Sequence, residues 1–175
     1  MRVHPWLLGF VASTALAGGP STNLDWISTD TKYDWYVAGT VNADGDYLAE
    51  YCYKSSHHCE WRFSIQVGCK EGDSGLVIIN GETGFDMSKV TCLGVLGDGK
   101  DGKHTYRVEN WKEMEDVLTG GGDLIAICMP MQGTQFRVFR FSSRGAIPAT
   151  ANIGGPITGE RHSVNDQARA RDTTL

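Results

Sequence analysis

The chain has 175 residues and a formal net charge of −5, from 16 Lys and Arg against 21 Asp and Glu. That length suits one domain with a real hydrophobic core and excludes two of ordinary size. An acidic chain without a Lys/Arg run also argues against nucleic acid or anionic lipid as a partner, because phosphate binding is driven by clustered cations.

Met1–Ala17 reads as a cleavable secretory signal. Arg2 is the positive segment, Trp6–Leu16 the apolar one, and Ala15-Leu16-Ala17 supplies small residues for cleavage before Gly18. The apolar stretch is shorter than the ~20 residues that span a bilayer, and no later run approaches that length, so no transmembrane span is expected. Loss of Met1–Ala17 removes one cation and leaves the mature chain at −6. Residues 18–25 read as a linker and 26–150 as a single β domain.

Short strand-like runs then follow at intervals of eight to twelve residues, the spacing of a sandwich or barrel. Tyr33–Val37 alternates, and Asn42–Asp46 holds an Asp-Gly pair suited to a tight hairpin. Tyr47–Tyr53 and Cys59–Val67 read as strands joined across Lys54–His58. Leu76–Asn80, Phe85–Leu93, His104–Val108, Leu124–Met129 and Gln135–Phe141 bring the expected total to about eight. One helix interrupts them. Asn110 is a good N-cap residue with Glu113 three positions on, and Trp111, Met114, Val117 and Leu118 share a face that Gly120-Gly121-Gly122 ends. From Ala151 the apolar pattern stops, and residues 151–175 read as a disordered polar tail. The expected fold class is all-β: an antiparallel sandwich or barrel-like domain with one short α-helix, stapled by disulfides.

All five cysteines follow the signal segment. In an oxidising compartment they read as two disulfides and one leftover thiol. Five cysteines allow fifteen choices of two bridges. The pairing favoured is Cys52–Cys59 and Cys69–Cys92, with Cys128 a free thiol buried in its apolar strand. Each bridge closes a short loop and is worth roughly 2–3 kcal/mol in the chain-entropy model.

Gly72-Asp73-Ser74-Gly75 is the core of the nucleophile loop of trypsin-like serine proteases. The match ends there: only His57 and His58 precede Ser74 in the mature chain, in a hairpin loop, with no room for an intervening Asp strand. A turn leading into a strand is the favoured reading, and a serine hydrolase the disfavoured alternative. Cys52, Cys59, His57 and His58 form a denser cluster, and a metal-binding protein using both cysteines and one neighbouring histidine is a second alternative. Oxidation of the two cysteines to each other would remove them as ligands. His104 is expected to be isolated and exposed. Asn42–Asp46 and Asp98–Lys103 fail the calcium-loop pattern and read as solvated turns. Tyr47, Tyr51 and Tyr53 share a face that reads as core. No catalytic residue, metal ligand or cofactor is assigned.

The order of these pieces resembles small bacterial periplasmic proteins of the invasion-associated locus B type. The similarity rests on the signal segment, the early Trp35 strand, the Cys52/Cys59 hairpin, and strand ends at Cys69 and Thr91-Cys92. It closes with the stretch from Tyr106 through Leu124–Ile127 to Phe139–Ala146. What the resemblance implies is a non-enzymatic, β-sandwich-like domain of the cell envelope, concerned with host interaction or envelope stress. The reading is therefore a non-catalytic exported protein, periplasmic or secreted, whose partner is an envelope or extracellular macromolecule. The partner's identity and the oligomeric state stay open.

Overall fold

A computed structural model describes residues 21–56, 58–95, 102–131 and 133–154. The signal segment, His57, Asp98–Asp101 and the tail beyond Gly154 lie outside the described residues.

Among the described residues, ten strands form one antiparallel sheet. They are β1 (Ser21–Asn23), β2 (Trp26–Asp30), β3 (Trp35–Val41), β4 (Tyr47–Tyr53), β5 (Cys59–Ile65), β6 (Ser74–Asn80), β7 (Phe85–Gly94), β8 (His104–Val108), β9 (Leu124–Pro130) and β10 (Phe136–Ser142). Their spatial order is β1-β2-β3-β4-β5-β8-β7-β6-β9-β10, so β8 lies between β5 and β7 and the β6–β7 hairpin between β8 and β9. Helix α1 (Trp111–Thr119) links β8 to β9, and α2 (Ala146–Gly154) follows β10.

Period-two alternation sets which face is buried. On β4, Leu48, Glu50 and Cys52 point inward and lie opposite Phe63, Trp61 and Cys59 of β5. Trp26 and Trp61 meet edge to face at 6.0 Å, and Phe63 stacks on Tyr106 at 5.2 Å. The sheet curls until its ends touch. The Trp26 indole N–H donates to Ser142 O at 2.7 Å, Asp25 N donates to Arg144 O at 3.3 Å, and the Ser142 hydroxyl donates to the Asp25 carboxylate at 2.7 Å. A few hydrogen bonds, mostly from side chains, thus join the two ends where a barrel would have a ladder.

The helices cover the inner face. Met114, Val117 and Leu118 of α1 are buried, while Trp111, expected on that face, is half-exposed. Asn110 makes no side-chain cap; its amide donates to Glu113 Oε1 at 2.8 Å, a side-chain pair in place of the expected capping box. Two further features differ from expectation. Ser21–Asn23, read as linker, pairs with β2 as an edge strand. Residues 151–154, read as the start of the tail, are the last part of α2. That second helix carries no charge and few large side chains, so it shows little amphipathic contrast in sequence. Its buried Ala146, Ala149 and Ile153 lie among contacts with β2 and β3, and Asn152 donates to the Ser21 and Ser28 hydroxyls.

Candidate functional site

Two disulfides staple the sheet. Cys52 and Cys59 lie directly opposite each other in the β4–β5 ladder, both buried, with Tyr53 N donating to His58 O at the hairpin end. The third potential ligand beside this pair is the buried carboxylate of Glu50. The metal-binding alternative needs a neighbouring histidine there; His58 is exposed, and His57 lies outside the described residues. Adjacent strand positions alternate in direction, so His58 points away from the side of the sheet that Cys59 enters.

Cys69–Cys92 joins the segment after β5 to β7, across a Cα separation of 6.1 Å. A histidine does stand here. His104 opens β8 opposite Ile65 and is half-buried, not exposed as its isolation in sequence suggested. Its Nδ1 accepts the Cys69 backbone N–H at 3.3 Å and lies 3.7 Å from the Cys69 sulfur. On the other sulfur, Gly94 N donates to Cys92 Sγ at 3.3 Å. Cys69 also lines a cleft of about 170 Å³ with Asp73, Ser74, Leu76, Tyr106 and Met129.

Ser74 is the exposed first residue of β6. Among the described residues its hydroxyl meets only that of Thr91, at 3.4 Å. The preceding residues form a turn: Gly72 takes φ = 86°, Gly72 N donates to Cys92 O, and Cys92 N donates back to Asp73 O. Gly at Gly72 meets that backbone requirement, so the trypsin-like tetrapeptide has a local structural cause.

Asn42–Asp46 is less solvated than its composition implied. Asn42 Oδ1 accepts from Asp44 N and Asp46 N, and the buried Lys103 ammonium donates to Gly45 O and lies 3.8 Å from the Asp46 carboxylate. A lysine therefore supplies the positive charge that a calcium-like turn would otherwise seek.

The outer face of the sheet divides into two regions. Over β3, β4 and β5 it is aromatic and polar. Tyr33 stacks on Trp35, whose ring meets Tyr51 and Tyr53 edge-on, and the Arg62 guanidinium lies over Tyr51 and pairs with Glu60 and the Tyr53 hydroxyl. Tyr47, Tyr51 and Tyr53 were read as core. Register puts them opposite Ser64, Glu60 and the Trp35 side of β3 instead, on the face away from Leu48. Burial and the neighbouring Tyr47 hold the Tyr51 hydroxyl well above the ordinary tyrosine range.

Over β7, β6, β9 and β10 the same face is apolar. Ladder partners Met87, Ile78, Cys128 and Val138 form one row across four strands. Phe85 (68% exposed), Leu76 (59%) and Phe136 (59%) surround it, and Met87 within it is 64% exposed. Cys128, expected to be buried, is the half-buried free thiol within this row. Exposed large apolar side chains are thus gathered on one region of the outer face. This face escaped the sequence reading because the continuous apolar run Leu76–Ile79 suits a strand covered on both sides.

Sheet and staples together define an all-antiparallel, disulfide-bridged β domain with two covering helices. No known family model and no curated protein matches the chain. Among solved structures, the crystal structure of invasion associated protein B from Bartonella henselae is similar, with a TM-score of 0.55 at 10% identity, covering 78% of this chain and 96% of that one. At that identity the likeness is one of fold. No described helix is long and apolar enough to cross a membrane.

Proposed function

We propose that this protein is a non-catalytic, exported β domain that binds another protein of the envelope or extracellular space through its outer sheet face. One observation carries the reading: the apolar row Met87–Ile78–Cys128–Val138 and the exposed Leu76, Phe85 and Phe136 around it. Clustered exposed apolar side chains mark interaction sites in soluble proteins, and a broad outer sheet face suits a protein better than a small molecule. Two disulfides suit an oxidising compartment, periplasmic or extracellular. The signal-like Met1–Ala17 is in keeping with that location.

The test is site-specific photocrosslinking in the source cells, with a benzophenone amino acid at Phe136 on the outer face or at buried Phe141. The expected result is a discrete heterologous adduct from position 136 only, lost when Met87→Glu is added. A Phe136 probe that yields no adduct beyond that of Phe141 would sink the proposal.

A further inference from the structure

The metal alternative read from the sequence needs two cysteines and a histidine close together. That constellation occurs at the other cysteine pair. Ligand atoms of Cys69, Cys92 and His104 all lie within 4.8 Å of one another. We propose that the Cys69–Cys92 disulfide is a reversible gate over a Zn²⁺-type site, formed by both sulfurs and His104 Nδ1 once the bridge is reduced.

Geometry is the first support. Bond lengths of ~2.05 Å to nitrogen and ~2.3 Å to sulfur, at a tetrahedral angle, place the two atoms about 3.6 Å apart. Nδ1 and the Cys69 sulfur are 3.7 Å apart. The two thiolates would need to separate to about 3.8 Å, a span within reach of side-chain rotation at a Cα distance of 6.1 Å. Because Nδ1 accepts the Cys69 N–H, the ring carries its proton on Nε2, and ligation would turn the single Nδ1 lone pair from that N–H to the ion.

Charge and access distinguish this pair from Cys52–Cys59. Two thiolates, a neutral imidazole and a divalent cation sum to zero. At the other pair, two thiolates and the Glu50 carboxylate would leave a net negative charge among fully buried groups. Cys69 and His104 are half-buried, and the cleft that Cys69 lines offers a path for the ion and a place for a fourth ligand such as water.

The reaction balances with a dithiol as reductant. The dithiol is oxidised to its own disulfide and delivers two electrons and two protons to the S–S bond, giving two thiols. The cation then displaces both thiol protons to solvent.

Spectroscopic titration of the full chain with Co²⁺ tests this, before and after reduction with a phosphine that spares the metal. The expected result is one Co²⁺ per chain, with tetrahedral d–d bands and a thiolate charge-transfer band, in the reduced protein alone. His104→Ala should weaken binding by about tenfold or more, whereas Cys128→Ala and exposed His58→Ala should leave it unchanged. Equal binding by the oxidised chain, indifference to His104→Ala, or dependence on Cys128 would each overturn the proposal. So would reduction that abolishes the β far-ultraviolet signal without recovery on adding Zn²⁺, since the site needs the folded sheet. None of these outcomes bears on the outer apolar face.

Discussion

Trp26 is the residue on which closure of the sheet most depends, and Trp26→Phe probes it without emptying the site. The side chain is fully buried, packs edge-on against Trp61, and its indole N–H reaches Ser142 O on the opposite end of the sheet. Phenylalanine removes roughly 40 Å³, which costs about 1 kcal/mol at ~24 cal/mol per Å³ of residual cavity. The Ser142 carbonyl loses a partner at a cost of about 1 kcal/mol, and the lost apolar transfer adds about another 1 kcal/mol. A loss near 3 kcal/mol is a large share of the ~5–15 kcal/mol that holds a domain together. Equilibrium urea unfolding under non-reducing conditions, followed by near-ultraviolet circular dichroism, should show a midpoint lower by on the order of 1–2 M. Ile27→Ala, at the exposed neighbouring position, serves as the control and should stay within about 0.5 kcal/mol of wild type. A Trp26→Phe loss below 1 kcal/mol would mean that the two sheet ends are not joined through this contact.

Other expectations follow from single features. Unreduced, denatured protein should contain one titratable thiol, Cys128, by Ellman assay; three or five would contradict at least one bridge. Ser74 should not react with a fluorophosphonate probe, because Thr91 is the only group its hydroxyl meets among the described residues; labelling abolished by Ser74→Ala would revive the hydrolase reading. In alkaline titration Tyr51, Tyr53 and Tyr106 should ionise above the ordinary tyrosine range, since burial raises all three. A folded value above the unfolded one means a stabilising contribution that is complete below about pH 10 and lost as pH rises toward the folded value. Those three should therefore ionise together with loss of near-ultraviolet signal, and six tyrosines titrating as one class near pH 10 would refute it. Gly39→Ala should cost about 1–3 kcal/mol, because the new Cβ would stand 2.7 Å from that of Ala49; an unchanged melting temperature would count against this register.

Much of the strand content was legible locally. Alternation from Tyr47 to Tyr53 and the turn at Lys54–His58 bring Cys52 opposite Cys59, because an antiparallel hairpin couples sequence spacing to register. Beyond that hairpin, local pattern carried less. Helix α2 was missed because small residues such as Ala149 give a weak amphipathic signal, and they matter only once β2 and β3 are there to pack on. Strands β1 and β2 have too few alternating apolar positions to stand out, and they are strands because β2 pairs with β3 and β1 with β2.

Sequence by itself determined an antiparallel β class, cysteines spaced for stapling, and a signal-like leading segment. Alternation says that a strand has two faces and turn chemistry says where it ends, and both are local. Which face meets the core is non-local. Tertiary structure decided that Tyr51 lies outward, that Cys128 shares an exposed row with Met87, Ile78 and Val138, and that His104 stands beside Cys69. Insertion of β8 between β5 and β7 brings Cys69 and His104, 35 positions apart, into contact, and no periodicity in the chain encodes that choice.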